Sequence, residues 1–190
     1  MTKLNVEIFG TTPLICNRFS EEAAMSATKG SRSSLAVSDK GSPVEICEKK
    51  LYLDEDGAYI IPQPNLMACI VNGGIFFKSG KRQITTQKTS LLYGLMVIEG
   101  SQIPIESDSG WKVDTRPVRI PSTGGRILAH RPCFDDWKLR FVIEVDDEMP
   151  LDLLRDIVDA AGKKIGLGDF RPQTKGPYGR FVVTEWKQVE

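Results

Sequence analysis

The sequence predicts a single α+β domain in which helices pack on one face of an antiparallel sheet. Two segments, 4–9 and 139–145, alternate apolar and polar residues, which is the period of a half-buried strand. Two others, 65–71 and 151–161, carry apolar residues along one face at helical spacing. Strands and helices of this kind are typical of a ferredoxin-like or RRM-like sandwich, here with long loop insertions.

Length and composition fit one globular domain that spans residues 1–190. The chain has 41% hydrophobic and 26% charged residues, and 190 residues suffice for one core but are few for two. Its apolar runs are too short to cross a bilayer, which takes about 20 residues. The first residues turn polar at once and hold no apolar signal core. We therefore expect a cytoplasmic protein with no membrane contact.

The cysteines and the histidine argue against a metal site. Cys16, Cys47, Cys69 and Cys133 are widely spread without a CxxC pair, and His130 is the only histidine. A zinc or haem site needs several close ligands. We expect no metal and no other cofactor, and we expect buried thiols in a reducing compartment.

The remaining segments give weaker patterns. Residues 44–53 fit a helix or a strand, and the turn signal at 54–57 precedes a short strand at 58–62. The other expectations are a short helix capped by Ser20, a long exposed loop at 27–43, a strand at 91–98, an exposed hairpin or loop at 115–127, and a last strand at 181–186.

The glycine-rich segment 162–181 is the most informative stretch. It holds five glycines, five basic residues and one acid. Gly166, Gly168, Gly176 and Gly179 let the backbone approach a ligand closely and turn N–H groups toward an anion. Arg171, Lys175 and Arg180 add positive charge, and Tyr178 or Phe170 offers a ring for stacking on a base. The alternative is a helix-to-strand connection whose glycines only make tight turns.

Nucleotide hydrolysis finds no support in this segment. The GxxxxGK[ST] pattern is absent, and Gly166 and Gly168 follow a predicted helix and lead into a strand. A dinucleotide-binding fingerprint needs the opposite order, in which the glycines follow a strand and open a helix.

Three short motifs together resemble a known family. Thr12-Pro13-Leu14 follows the first strand, Tyr59-Ile60-Ile61-Pro62 precedes the helix 65–71, and Gly166 to Arg171 leads on to Gly176 to Phe181. In this order they resemble the RAMP superfamily, the RRM-like proteins of CRISPR effector complexes. The likeness is to the small backbone subunits that polymerise along guide RNA. Similar chains are also expected among phage-encoded proteins.

The resemblance implies a function in nucleic-acid binding rather than catalysis. It implies a single-stranded partner, RNA rather than DNA, held by basic and glycine-rich loops. It also implies a repeating subunit of a homo-oligomer, or of a ribonucleoprotein with other subunits, of the kind that serves antiviral defence.

Three further basic clusters are candidates for lining a groove, while acids concentrate at 54–56 and 146–148. Such segregation favours a one-sided anion-binding surface, although charge runs in loops are often only solvated. The clusters comprise Lys78, Lys81, Arg82 and Lys88; Arg116, Arg119, Arg126 and Arg131; and Arg18, Lys29, Arg32 and Lys40. Basic loops with few base-reading side chains predict salt-dependent binding without sequence preference.

Two other classes of function stay open. His130, with Arg131 or Lys88, offers a base and a cation for a metal-independent ribonuclease of RAMP type. A lone histidine in a loop is more often simply exposed, so we expect no enzymatic activity. The second alternative is a structural or interaction protein of phage origin that binds no nucleic acid.

Overall fold

A computed structural model describes residues 1–19, 41–119 and 124–189 of the protein. The helix expected from Ser20 and most of the loop expected at 27–43 lie outside the described residues. None of the described helices is long and apolar enough to cross a membrane.

The elements alternate between strands and helices along the chain. The helices are α1 (Pro43–Lys49), α2 (Gln63–Gly73), α3 (Leu92–Leu95) and α4 (Leu151–Ala160). The strands are β1 (Thr2–Gly10), β2 (Leu14–Ile15), β3 (Ile60–Pro62), β4 (Lys78–Ser79), β5 (Arg82–Gln83), β6 (Met96–Ile98), β7 (Gln102–Glu106), β8 (Trp111–Arg119), β9 (Arg126–Phe134), β10 (Lys138–Val145) and β11 (Phe181–Gln188).

The main sheet has the strand order β11–β1–β10–β7–β3, and β6 pairs with β10 beside β7. All of these pairs are antiparallel. Reading β6 and β7 as one broken strand, the order β1, α2, β6–β7, β10, α4, β11 is a βαββαβ unit. Its last strand lies beside its first, and its first beside its third. This confirms the predicted ferredoxin-like or RRM-like α+β fold.

Alternating side chains divide the sheet into a buried and an open face. Leu4, Val6 and Ile8 of β1 are almost fully buried, as is Ile143 of β10, whereas Asn5 is exposed. The buried set forms one core with α2 and α4, as the periodicity predicts. At Gly73 a Cβ would lie 2.6 Å from Ile157 O, so a side chain there would push α2 and α4 apart.

The long β8–β9 hairpin is inserted between β7 and β10, and β2 pairs with β9 to complete a second, three-stranded sheet. It confirms the hairpin alternative for residues 115–127, although 120–123 lie outside the described residues. The shorter β4–β5 hairpin projects after α2.

The structure decides three further expectations. The strand predicted at 91–98 is wrong in its first half, because Leu92–Leu95 form a helical turn and only Met96–Ile98 pair in the sheet. The ambiguous segment after position 44 becomes α1, whose start is fixed when Ser42 and Glu45 cap each other's backbone N–H groups. All four cysteines are buried, as predicted.

Candidate functional site

The glycine-rich segment folds back on itself as a closely packed wall. The Leu167 N–H donates to Gly179 O, and the Gly179 N–H donates to Pro13 O, each at 2.8 Å. Gly179 has a φ of +68°, and a Cβ there would lie 1.7 Å from Leu167 O. Only glycine fits, because both the left-handed backbone and the close approach exclude a side chain.

This packing corrects part of the expectation that the glycine N–H groups face a ligand. The N–H of Gly166 donates to Ala161 O and that of Gly176 to Arg171 O, so together with Gly179 three of the four are engaged inside the protein. The Gly168 N–H is different, because it donates no hydrogen bond to any described residue.

A cleft of about 240 Å³ lies between α2 and the glycine-rich segment, and Gly168 belongs to its wall. The exposed face of α2 contributes Asn65 and Asn72. The opposite wall runs from Gly166 to Gln173, and Asn17 and Tyr52 line the cleft from neighbouring loops. The site is therefore assembled from four separate stretches of the chain.

The charged groups of the cleft are satisfied within its walls. Asp169 accepts hydrogen bonds from Asn17 Nδ2 at 3.1 Å and from the Phe170 N–H at 2.8 Å, and it pairs with Arg131 Nε at 3.2 Å. The Arg171 guanidinium donates to Gly168 O at 2.8 Å and to Gln173 Oε1 at 3.0 Å. These side chains hold the wall in shape.

The neutral polar groups of the cleft are mostly unengaged. Asn72 Nδ2 donates to Ala68 O at 2.8 Å, which leaves its Oδ1 free. Among the described residues, neither the Asn65 amide nor the Tyr52 hydroxyl has a hydrogen-bond partner. Cys69 Sγ lies 3.2 Å from Gly166 O, and burial raises the pKa of this thiol to about 12. It stays protonated and uncharged at neutral pH.

The β8–β9 hairpin docks against the glycine-rich segment through Arg116. Its guanidinium pairs with Asp114 Oδ2 at 2.7 Å, donates to the Tyr178 hydroxyl, and lies 4.4 Å from the Tyr178 ring centroid. The hydrogen bond to Asp114 raises the pKa of Arg116. Tyr178 also packs on Phe170, with 5.9 Å between ring centroids. This ring is thus held by the protein itself.

The exposed cations of the predicted site fall into two groups. Arg18 follows the lining residue Asn17, Lys175 lies two residues after the lining residue Gln173, and Arg180 follows Gly179, which accepts a hydrogen bond from the lining residue Leu167. No carboxylate in the part of the chain that the structure describes pairs with these three, which we call the rim cations. The second group lies on other elements and comprises Lys78, Lys81 and Arg82 on the β4–β5 hairpin, Lys88 in the loop after it, and Arg126 at the start of β9. Lys29, Arg32 and Lys40 lie outside the described residues.

His130 and Arg131 do not share a site. His130 Nδ1 lies 2.8 Å from the hydroxyl of Thr115, its partner across the hairpin. Arg131 pairs with Asp169. Successive residues of a strand point to opposite faces, so β9 directs these two side chains apart.

The helix-free face of the main sheet carries charges that pair with each other. Arg140 Nε lies 2.7 Å from Glu7 Oε2, and its Nη1 lies 2.9 Å from Glu106. Lys3 Nζ lies 2.8 Å from Glu144. This open face is a network of ion pairs in which acids and bases alternate.

The neutral cleft residues are the ones that sequence reasoning missed. Asn65, Ala68 and Asn72 follow each other at helical spacing, so a polar and small stripe on the exposed face of the predicted helix was readable. Asn17, Tyr52 and Gln173 gave no such signal, because only the folded chain brings them to the same cleft.

No protein-family model matches the sequence, and no curated protein matches it. The structure is similar to a chain in the cryo-EM structure of the Type III-B Cmr-beta bound to cognate target RNA, with a TM-score of 0.62 and 13% identity. The match covers 100% of this chain and 61% of that chain, so the protein spans less than two thirds of its neighbour's length. At this identity the likeness shows a shared fold.

Proposed function

We propose that this protein binds single-stranded RNA without cleaving it, and that the strand passes over the cleft between α2 and the glycine-rich segment. The observation that carries the proposal is the composition of this cleft. Unengaged hydrogen-bonding groups line it, and the rim cations, which have no carboxylate partner among the described residues, follow segments that form or contact its walls. Phosphates attract such cations, and unstacked bases and ribose hydroxyls need such donors and acceptors.

The fold likeness supports RNA as the ligand. The similar chain belongs to an assembly bound to cognate target RNA, and the match extends over all of this protein. The motifs at 12–14, 59–62 and 166–181, which resemble RAMP proteins, all contribute to or adjoin the cleft. The proposal includes membership of this superfamily.

The open sheet face is a poor second choice for an RNA strand. RRM domains bind there by stacking bases on exposed aromatic residues. Here Arg140 and Lys3 are already paired with glutamates, so a phosphate would have to displace carboxylates. Phe9, 45% exposed, is the aromatic side chain that β1 places on this face.

The arrangement around His130 supports binding without catalysis. A metal-independent ribonuclease needs a base, an oxyanion stabiliser and a leaving-group acid within hydrogen-bond reach of one another. His130 is bonded to Thr115, while Arg131 is paired with Asp169. We expect His130→Ala to leave both RNA affinity and RNA integrity unchanged, and loss of a cleavage activity in this variant would contradict the proposal.

The decisive experiment compares two triple variants that each remove three positive charges. One replaces the rim cations, Arg18, Lys175 and Arg180, with alanine, and the matched control replaces Lys138, Arg140 and Lys187 on the open sheet face. Fluorescence anisotropy with a labelled RNA should show binding more than about 100-fold weaker for the rim variant only. For the rim variant, the slope of log K against log salt concentration should become shallower by about 0.7 per lost phosphate contact, or roughly 2 in total.

Equal affinities for the rim variant and the unmodified protein would refute the cleft as the binding site. Equal losses in both triple variants would mean that only overall charge matters. Binding of a DNA strand as tightly as the RNA of the same sequence would contradict the preference for RNA.

The proposal extends to assembly, as a repeating subunit of an oligomer or a ribonucleoprotein. One small domain contacts only a few nucleotides, and copies along a strand gain affinity through avidity. Light scattering should show particles that grow with RNA length. A monomer at every concentration, with and without RNA, would contradict this part.

A further inference from the structure

We propose that the cleft captures one unstacked nucleobase of the bound strand, while the rim cations hold the neighbouring phosphates. This inference rests on the proposed function and specifies it, since it divides the cleft and its rim into two kinds of subsite. The ligand of the inner subsite is a neutral, planar, hydrogen-bonding ring.

The charges of the cleft argue for a neutral ligand. Among the described residues, its walls carry one acid, Asp169, which accepts three hydrogen bonds or ion pairs, and one cation, Arg171, whose Nη1 donates to Gly168 O and whose Nη2 donates to Gln173 Oε1. A phosphate inside would meet a carboxylate and would have to break the Arg171 contacts that shape the wall. Burial of an unpaired charge is costly, whereas a neutral base meets no such penalty.

The unengaged groups of the cleft both donate and accept hydrogen bonds. The Asn65 amide and the Tyr52 hydroxyl do both, the Gly168 N–H only donates, and Asn72 Oδ1 only accepts. A phosphate has no donor to offer Asn72 Oδ1. Base edges carry donors and acceptors side by side, and asparagine amides match such edges in bidentate geometry.

The size of the cleft fits a single ring system. Its volume of about 240 Å³ lies below the roughly 300 Å³ at which pockets for drug-sized ligands begin. Tyr52 is the aromatic residue among the lining side chains, and aromatic rings stack on unpaired bases of single-stranded RNA. A base therefore fits the cleft both in bulk and in chemistry.

The test compares an RNA strand with the same ribose–phosphate chain lacking its bases. Both probes carry the same phosphates, so the rim cations contribute equally to both. We expect the unmodified protein to bind the base-bearing strand about tenfold more tightly, since a net hydrogen bond contributes a factor of roughly 2 to 12. Asn65→Ala combined with Asn72→Ala should reduce this preference to less than about threefold at unchanged salt dependence.

The matched control replaces two exposed amides of the open sheet face, Asn5→Ala with Gln102→Ala, and should keep the full preference. Circular dichroism checks that both double variants fold. If RNA binds but the two strands bind equally, base capture is wrong and the proposed function stands. If neither strand binds, the proposed function fails and base capture fails with it.

Free nucleotides show whether the base comes from a strand or from a mononucleotide. Adenosine monophosphate and uridine monophosphate are each titrated alone and as competitors of the strand. Weak binding at millimolar concentration supports capture of a base within a strand. Either monophosphate binding as tightly as the strand would overturn the inference, because the cleft would then serve a free nucleotide.

Discussion

The open sheet face and the cleft both combine acids, bases and amides, yet they organise them in opposite ways. On the sheet face, Arg140, Glu7 and Glu106 pair across strands at the surface, where water and salt weaken their attraction. In the cleft, Asp169 and Arg171 are bonded into the wall, and the groups left over are neutral.

This difference is why we propose that the ligand of this RRM-like fold lies at the cleft rather than on the sheet face. The charged groups of the sheet face are paired with each other, so a phosphate there would have to displace a carboxylate. The cleft leaves neutral groups unengaged beside a wall that packs closely on β2, where a Cβ at Gly168 would lie 2.5 Å from Ile15 O. The contrast predicts that changes in the wall affect stability and binding together, and that changes on the sheet face affect neither strongly.

The largest effect is expected from Gly179→Ala. A Cβ would lie 1.7 Å from Leu167 O in a backbone with φ +68°, so the wall must move. We expect a loss of about 2–5 kcal/mol in the free energy of unfolding, from backbone strain and overpacking combined. Denaturant unfolding measures it.

Gly57→Ala is the matched control. Gly57 also has a positive φ, +82°, but nothing lies within 4 Å of an added Cβ. Only the backbone strain remains, and it costs about 1–2 kcal/mol. Equal losses in the two variants would show that the wall yields to a side chain and that its close packing does not shape the cleft.

A smaller effect is expected from Arg171→Ala. It removes the donors to Gly168 O and Gln173 Oε1, and hydrogen bonds from a charged group are typically worth about 1.5–3 kcal/mol. Arg171 is half-buried, so water replaces part of these hydrogen bonds in the variant. We therefore expect a loss of about 1–2 kcal/mol in the free energy of unfolding. RNA binding should weaken together with stability.

Arg155→Ala, on the exposed side of α4, removes the same type of side chain away from the cleft and should change neither quantity. If Arg171→Ala weakens RNA binding at full stability, Arg171 contacts the strand directly, as the sequence alone suggested. The two measurements together separate these roles.

The fold was predictable because its elements carry local patterns. The alternation at 4–9 and 139–145 and the amphipathic segments at 65–71 and 151–161 all became the expected strands and helices. The segment 91–98 misled because a short apolar run suits a strand or a buried helical turn equally well. Tertiary packing of Leu92, which is fully buried, decided it.

The site was predictable only in part, since it depends on contacts between distant segments. Charge and glycine content pointed to the segment that forms one wall of the cleft, but they assigned Arg171 and Tyr178 to the ligand, and the structure bonds both to the protein. Pairing between Arg131 and Asp169, or between Arg116 and Tyr178, has no local signature. The neutral lining was missed because isolated amides are common in any sequence.

The smallest effect is expected from Glu7→Gln on the sheet face, and it appears only in acid. The Thr184 hydroxyl donates to Glu7 Oε1 at 2.7 Å, and this bond, followed by Arg140, lowers the pKa of Glu7 from its ordinary value of 4.5. A carboxyl whose pKa is lower in the folded than in the unfolded state contributes stability above the ordinary pKa. That contribution is lost as the pH falls through the folded-state pKa.

The melting temperature of the unmodified protein should therefore fall more steeply below about pH 4.5 than that of Glu7→Gln. Glu55→Gln, which changes an exposed residue in the turn before β3, is the control and should behave like the unmodified protein. RNA binding at neutral pH should be the same in all three proteins. Stronger binding by Glu7→Gln would mean that acids alone keep RNA off the sheet face. The two regions would then differ in net charge rather than in whether their hydrogen-bonding groups are engaged.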